Sequence, residues 1–219
     1  IRNSLVVLVI TFIIFESFFE GGWGLEGYIL PFLTYSLYIF LKYFLEDKIN
    51  KYEIILNGFS FAVVLFTKAN MIGIWLIFSL LVTIKLIYQK RFSLFLKYIA
   101  LFISGSALFI VPLCCFLWFQ GSLKEMFYQS VVMNFIYSKG SGYLTVREMI
   151  KWYMNQVNVL QLNFMIVIAM ISVWKQYGIK ILFYNGAFIF CLMLALISKR
   201  AYLHYLIVLI PLFIPYISV

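Results

Sequence analysis

Three short segments hold most of the residue types able to do chemistry in this chain of 219 residues. The first is Glu20-Gly21-Gly22-Trp23-Gly24-Leu25-Glu26-Gly27-Tyr28-Ile29-Leu30-Pro31-Phe32. With Glu16 just upstream, it brings Glu16, Glu20 and Glu26, three of the eight acids, close together in sequence. Clustered carboxylates hold a metal or serve as a general base, and the glycines let the backbone approach a ligand closely. The same residues equally describe an interfacial turn with Trp23 and Tyr28 in an aromatic belt. The second segment is Thr67-Lys68-Ala69-Asn70, whose lysine either snorkels to a membrane boundary or meets a phosphate. The third is Ser198-Lys199-Arg200-Ala201-Tyr202-Leu203-His204-Tyr205, which contains the single histidine of the chain. Arg200 and His204 are four apart and share a face if a helix has begun by Arg200. Arginine grips phosphate oxygens in a bidentate way; histidine donates a hydrogen bond, ligates a metal or moves a proton. An interfacial anchor of basic and aromatic residues is the alternative.

Composition decides what kind of elements must position these groups. Hydrophobic residues make up 65% of the chain and charged residues 11%, with a mean hydropathy of +1.02. A soluble domain carries about 25% charged residues, so this chain lacks the polar surface to cover a globule. The expectation is an all-α fold, a polytopic transmembrane helix bundle of seven to eight spans forming one domain over residues 1–219. This excludes a cytosolic enzyme, a nucleic-acid reader and a disulfide-stapled secreted module. Apolar segments fall at about 5–19, 28–45, 54–67, 71–88, 98–119, 159–174, 181–197 and 203–219, bounded by charge, Gly or Asn. The pair 54–67 and 71–88 is short enough to form a hairpin that does not fully cross. Residues 120–158 form a longer external loop in which Phe127, Val131 and Phe135, and then Val146 to Tyr153, follow helical spacing. Two interfacial helices joined by Gly140-Ser141-Gly142 are expected there.

Basic residues in short loops stay on the cytoplasmic side. With the amino end inside, ten of the seventeen basic residues are cytoplasmic: Arg2, Lys42, Lys48, Lys51, Lys85, Lys90, Arg91, Lys97, Lys175 and Lys180. Both ends of the chain are then cytoplasmic, and much of the net charge of +9 is the ordinary retention signal. Lys68, Lys199 and Arg200 are left facing outward, together with Glu26 and His204. Cys114, Cys115 and Cys191 lie within spans and read as small buried apolar residues. Neither a CxxC pair nor a Gly-rich phosphate loop is present, so no nucleotide or redox cofactor is expected.

Taken in order, the three segments resemble one family. Gly21-Gly22-Trp23-Gly24-Leu25-Glu26-Gly27-Tyr28-Ile29-Leu30-Pro31-Phe32 is similar to the Gly-Gly-Asn-x-Thr-Glu-Glu-Tyr-x-Leu-Pro-Phe stretch of bacterial membrane glycosyltransferases of the GT-C superfamily. These are relatives of protein O-mannosyltransferases and lipid A aminoarabinose transferases. Lys68-Ala69-Asn70-Met71 resembles that family's Arg-Pro-Asn turn, and Ser198 to Tyr205 with Pro211 resembles its late Gly-Arg-x-Tyr-x-His-Tyr…Pro segment. Trp23, Leu25, Gly27 and Ala69 depart from the pattern, and losing the second acid at Gly27 weakens a metal site there.

The resemblance implies transfer of a sugar from a polyprenyl-phosphate donor to a glycan, lipid or protein acceptor at the outer face of a bacterial plasma membrane. It implies Glu26 as the catalytic carboxylate. Tyr28, Lys68, Asn70, Lys199, Arg200, Tyr202, His204 and Tyr205 would bind substrate, with a divalent metal admissible. It also implies a catalytic acid in a loop ahead of Ile1, so the chain is expected to be an N-terminally truncated fragment, inactive alone. A transporter or lipid-linked saccharide flippase, whose ionisable residues would lie near mid-membrane, and a non-catalytic membrane scaffold are the competing readings.

Overall fold

A computed structural model of the chain describes residues 24–133, 144–155, 178–196 and 202–217, with residues 9, 136, 163, 164, 167 and 171. All regular elements among the described residues are helical. They are α1 (Leu25–Glu46), α2 (Lys51–Thr67), a 3-10 turn (Ala69–Met71), α3 (Gly73–Tyr88), α4 (Phe92–Phe119), α5 (Leu123–Phe127) and a π-helical turn (Tyr128–Met133). After these come α6 (Val146–Asn155), α7 (Ile179–Leu196), a 3-10 segment (Leu203–Leu209) and α8 (Ile210–Ile217). The expected apolar segments from 28–45 to 98–119, and that at 181–197, are each helical, with starts shifted by up to six residues. The expected spans at 5–19 and 159–174, and the Gly140-Ser141-Gly142 turn, lie outside the described residues apart from isolated positions.

Among the described residues two helices, α1 and α4, are long and apolar enough to cross a membrane. At ~1.5 Å per residue, the 28 residues of α4 extend about 42 Å, more than the ~30 Å hydrocarbon core. By the same rise α2 and α3, with 17 and 16 residues, fall a few ångströms short of that thickness. The chain divides into two compact units, one of Pro31–Gly142 and one of Ile1–Leu30 with Tyr143–Val219. The division falls within α1 at Pro31, whose ring removes a backbone donor from the helical ladder.

In the Pro31–Gly142 unit the helices alternate in direction. Phe40 stacks on Phe78 at 5.4 Å, and two turns further along both helices Asp47 accepts a 2.8 Å hydrogen bond from Lys85; α1 and α3 therefore run parallel. Between them α2 returns, with Lys42 against Glu53 at one end and Phe32 near Phe59 further along. Asn50 starts α2 with a capping box: its side chain accepts from Glu53 N while Glu53 accepts from Asn50 N. Trp75 Nε1 donates to Asn57 Oδ1 at 2.9 Å in the interior, satisfying a polar pair that would be costly to bury unmade.

The packing of α2 on α4 is closer still. A Cβ added to Gly58 would collide with the carbonyl oxygen of Phe102, and one on Gly105 with that of Ile55. Each glycine thus meets the backbone one turn before the other, as in two parallel helices crossing at paired small residues. Ser106 Oγ fastens the crossing with a 2.9 Å hydrogen bond to Gly58 O. Small residues with a hydroxyl across the interface are the means by which helices associate where lipid removes the hydrophobic driving force.

One consequence of the alternation is a segregation of charge. Lys42, Lys48, Lys51, Lys85, Lys90, Arg91 and Lys97, with the acids Glu46, Asp47 and Glu53, all belong to the end of the unit where α1 and α3 finish and α2 and α4 begin. The opposite end, where α2 and α4 finish, carries Lys68, Lys124 and Glu125.

In the other unit, α7 packs on the last segment through Phe188 and Phe213, 5.1 Å apart and edge to face, and Tyr184 OH donates to Leu212 O at 2.8 Å. Residues 206–213 are buried without interruption. The 3-10 stretch gives way to α8 at Ile210, and Pro211 sits in the first helical turn, where a missing N–H is tolerated. On α6, Thr145 and Glu148 form a capping box; Met149 and Tyr153 are buried while Val146, Ile150 and Met154 are exposed.

Candidate active site at a buried carboxylate and histidine

Glu26 lies in the first turn of α1, in a helix and not in the extended glycine turn expected from its sequence. Residues 26, 29, 33, 36, 37, 40 and 43 are buried, a 3–4 spacing that defines one helix face. Glu26 stands at the head of that stripe and is carried into the interior with it, 3% exposed. The helix amino end favours its negative charge. Gly24 makes the room: a Cβ there would stand 2.5 Å from Glu26 Oε2.

His204 meets this carboxylate from the far end of the chain, its Nε2 3.7 Å from Glu26 Oε1. The imidazole stacks on Tyr202 with ring centres 5.2 Å apart and takes the Tyr205 ring edge to face at 4.7 Å. Tyr202 and Tyr205 touch in turn at 5.5 Å. The arrangement is a buried carboxylate, a half-exposed imidazole in front of it, and two phenol rings that hold the imidazole plane. A carboxylate and an imidazole facing each other are the residue types most used in general acid–base chemistry.

The backbone explains the triplet of rings. Tyr202 is extended, with φ −106° and ψ 123°, and the helix begins only at Leu203, in 3-10 form. At about three residues per turn, Tyr202 and Tyr205 fall on one side of the chain with His204 beside them. The shared face for Arg200 and His204 is expected only if a helix has begun by Arg200, and the described helix begins at Leu203. Lys199 and Arg200 themselves lie outside the described residues.

Tyr28 is 62% exposed, two residues and hence about 200° round α1 from Glu26. Lys68 and Asn70 belong to the Pro31–Gly142 unit, at the turn between α2 and α3. Lys68 is half-buried, and that burial pushes its ammonium down to about 8. For a metal, Glu26 and His204 supply two donors, and among the described residues no group of three His, Cys, Asp or Glu converges. Glu16 and Glu20 lie outside the described residues. A signal for Glu26 was present in the sequence, since it continues the apolar 3–4 spacing of α1 upstream of Ile29. The sequence puts Glu26 and His204 on one outward face; that they meet directly is seen only in the structure.

Comparison with known proteins finds no family model that matches the chain, no curated protein and no solved structure.

Proposed function

We propose that this chain is part of a multi-pass glycosyltransferase of the plasma membrane, transferring a sugar from a polyprenyl-phosphate donor to an acceptor at the extracytoplasmic face. The observation that supports this reading is the Glu26–His204 pair at 3.7 Å. It unites two segments from opposite ends of the chain that independently resemble parts of one GT-C pattern. In the reaction, His204 takes the proton from the acceptor hydroxyl as its oxygen attacks the anomeric carbon. The bond between that carbon and the phosphate oxygen breaks, and the polyprenyl phosphate leaves. Glu26 balances the charge on His204, and Arg200 and Lys199 stabilise the negative charge developing on the leaving phosphate.

In the same reading α1, α4 and the shorter apolar helices cross a bacterial plasma membrane, and the strongly basic end of the Pro31–Gly142 unit faces the cytoplasm. Reporter fusions after Lys90 and after Lys68 should report cytoplasmic and external locations respectively. The catalytic test is transfer by the full-length protein in proteoliposomes holding a polyprenyl-phosphate-linked sugar. His204→Ala should lower turnover about 100-fold or more without reducing membrane insertion, and Arg200→Ala should also abolish useful transfer. Wild-type turnover in both variants would end the proposal.

A further inference from the structure

At the end of the Pro31–Gly142 unit opposite its basic rim, a cavity of about 930 Å³ opens between the end of α2, the last turns of α4, and α5. This is within the ~300–1,000 Å³ of ordinary ligand sites. Its walls are apolar, with Leu65 and Phe66 from α2, Cys114 and Trp118 from α4, and Phe127 from α5; the charged residue in the lining is Lys124. The cavity adjoins the part of α4 that is longer than a hydrocarbon core, where Trp118 and Phe119 are exposed as residues of a membrane–water interface are. Lys124 comes five residues after Phe119, past the turn at Gly121, whose φ of +66° lets the chain reverse. A lysine in that position stands at headgroup depth above an apolar recess. Among the described residues this end of the unit has Lys68 and Lys124 against Glu125, an excess of positive charge that favours an anion.

We propose that this cavity is a binding site for an anionic membrane phospholipid, with one acyl chain between the α2 and α4 walls and the phosphate against Lys124. An apolar lining alone would accept any acyl chain; the lysine supplies the headgroup preference. Near a surface each lysine contributes on the order of a fivefold preference for anionic lipid. The proposal does not depend on the transferase reading.

The test is retention of lipid by the full chain in detergent, read by native mass spectrometry and by melting temperature. Titrations use phosphatidylglycerol, phosphatidylcholine with the same acyl chains, and inorganic phosphate. Phosphatidylglycerol should be retained about fivefold better than phosphatidylcholine and should raise the melting temperature. Lys124→Glu should erase that preference while leaving the melting temperature in phosphatidylcholine unchanged. Cys114→Trp, which fills the recess, should reduce retention of both lipids. Equal retention of the two lipids by the wild-type chain would overturn the proposal. So would a preference that survives Lys124→Glu, or a stabilisation that inorganic phosphate alone reproduces.

Discussion

Helix α4 and the final segment from Leu203 to Ile217 are alike in composition and opposite in environment. Along the 28 residues of α4 the buried positions are Gly105 and Ser106, while Leu96, Ile103, Leu108, Trp118 and Phe119 are all more than half exposed. In the final segment every residue from Leu206 to Phe213 is buried. A core helix buries its large side chains; α4 buries two of its smallest and leaves its large ones exposed or only partly covered. The final segment is enclosed by protein instead, and that enclosure holds His204 at its amino end against Glu26. Apolar sequence is therefore disposed in two ways here: in α4 it is left largely bare, and in the last segment it is enclosed.

The largest separation between the two regions should come from truncating side chains. Phe213→Ala should cost about 3–5 kcal/mol in reversible unfolding from mixed micelles, because the ring packs on Phe188 with 2% exposure. Ile103→Ala should cost about 0.5 kcal/mol or less, its side chain being 60% exposed; comparable losses would erase the contrast. Next, α4 should be most sensitive where it is smallest. Gly105→Ala should cost about 2–3 kcal/mol by forcing α4 off the Ile55 carbonyl. Gly186→Ala, where nothing lies within 4 Å of the new atom, should be neutral or stabilising by up to about 1 kcal/mol.

Smaller again is the hydroxyl that fastens the crossing. Ser106→Ala should lose about 0.6 kcal/mol together with the bond to Gly58 O, and the same assay reads it. The smallest effect belongs to the charged rim at the start of α4. The hydrogen bond from Lys85 lowers the Asp47 carboxyl below its usual range. A depressed carboxylate stabilises the fold above its unfolded value of about 3.9 and ceases to do so as pH falls through the lower folded value. The pair is half-exposed on the Asp47 side, so Asp47→Asn should cost no more than about 0.5 kcal/mol at neutral pH. That difference should vanish in strong acid.

Much of this architecture is legible residue by residue. Glycine, asparagine and charge at residues 46–51, 68–70 and 89–91 separate the apolar runs, and helices α1 to α4 end and begin within a few residues of them. Asn50 and Glu53 form a capping pair at the spacing such pairs require. Part of the candidate site is legible too: Glu26 keeps the apolar stripe's spacing, and His204 stands alone as the chain's histidine between two tyrosines. What local pattern misleads about is conformation near glycine and proline. The glycines around Glu26 suggest a turn, yet the helix begins at Leu25 because the apolar face it presents is continuous. The residues before Pro211 suggest a regular helix, yet they wind as 3-10 from an extended Tyr202.

The amino-acid sequence by itself determined the helical class, the positions of the helix ends and the scarcity of charge, because each depends on local spacing and on the cost of burying backbone polar groups. Tertiary structure alone decided which apolar surfaces are enclosed and which are bare, how close α2 and α4 approach, and that Glu26 meets His204. Those outcomes depend on residues far apart in the chain occupying the same few ångströms, and one-dimensional periodicity specifies a face without specifying what covers it.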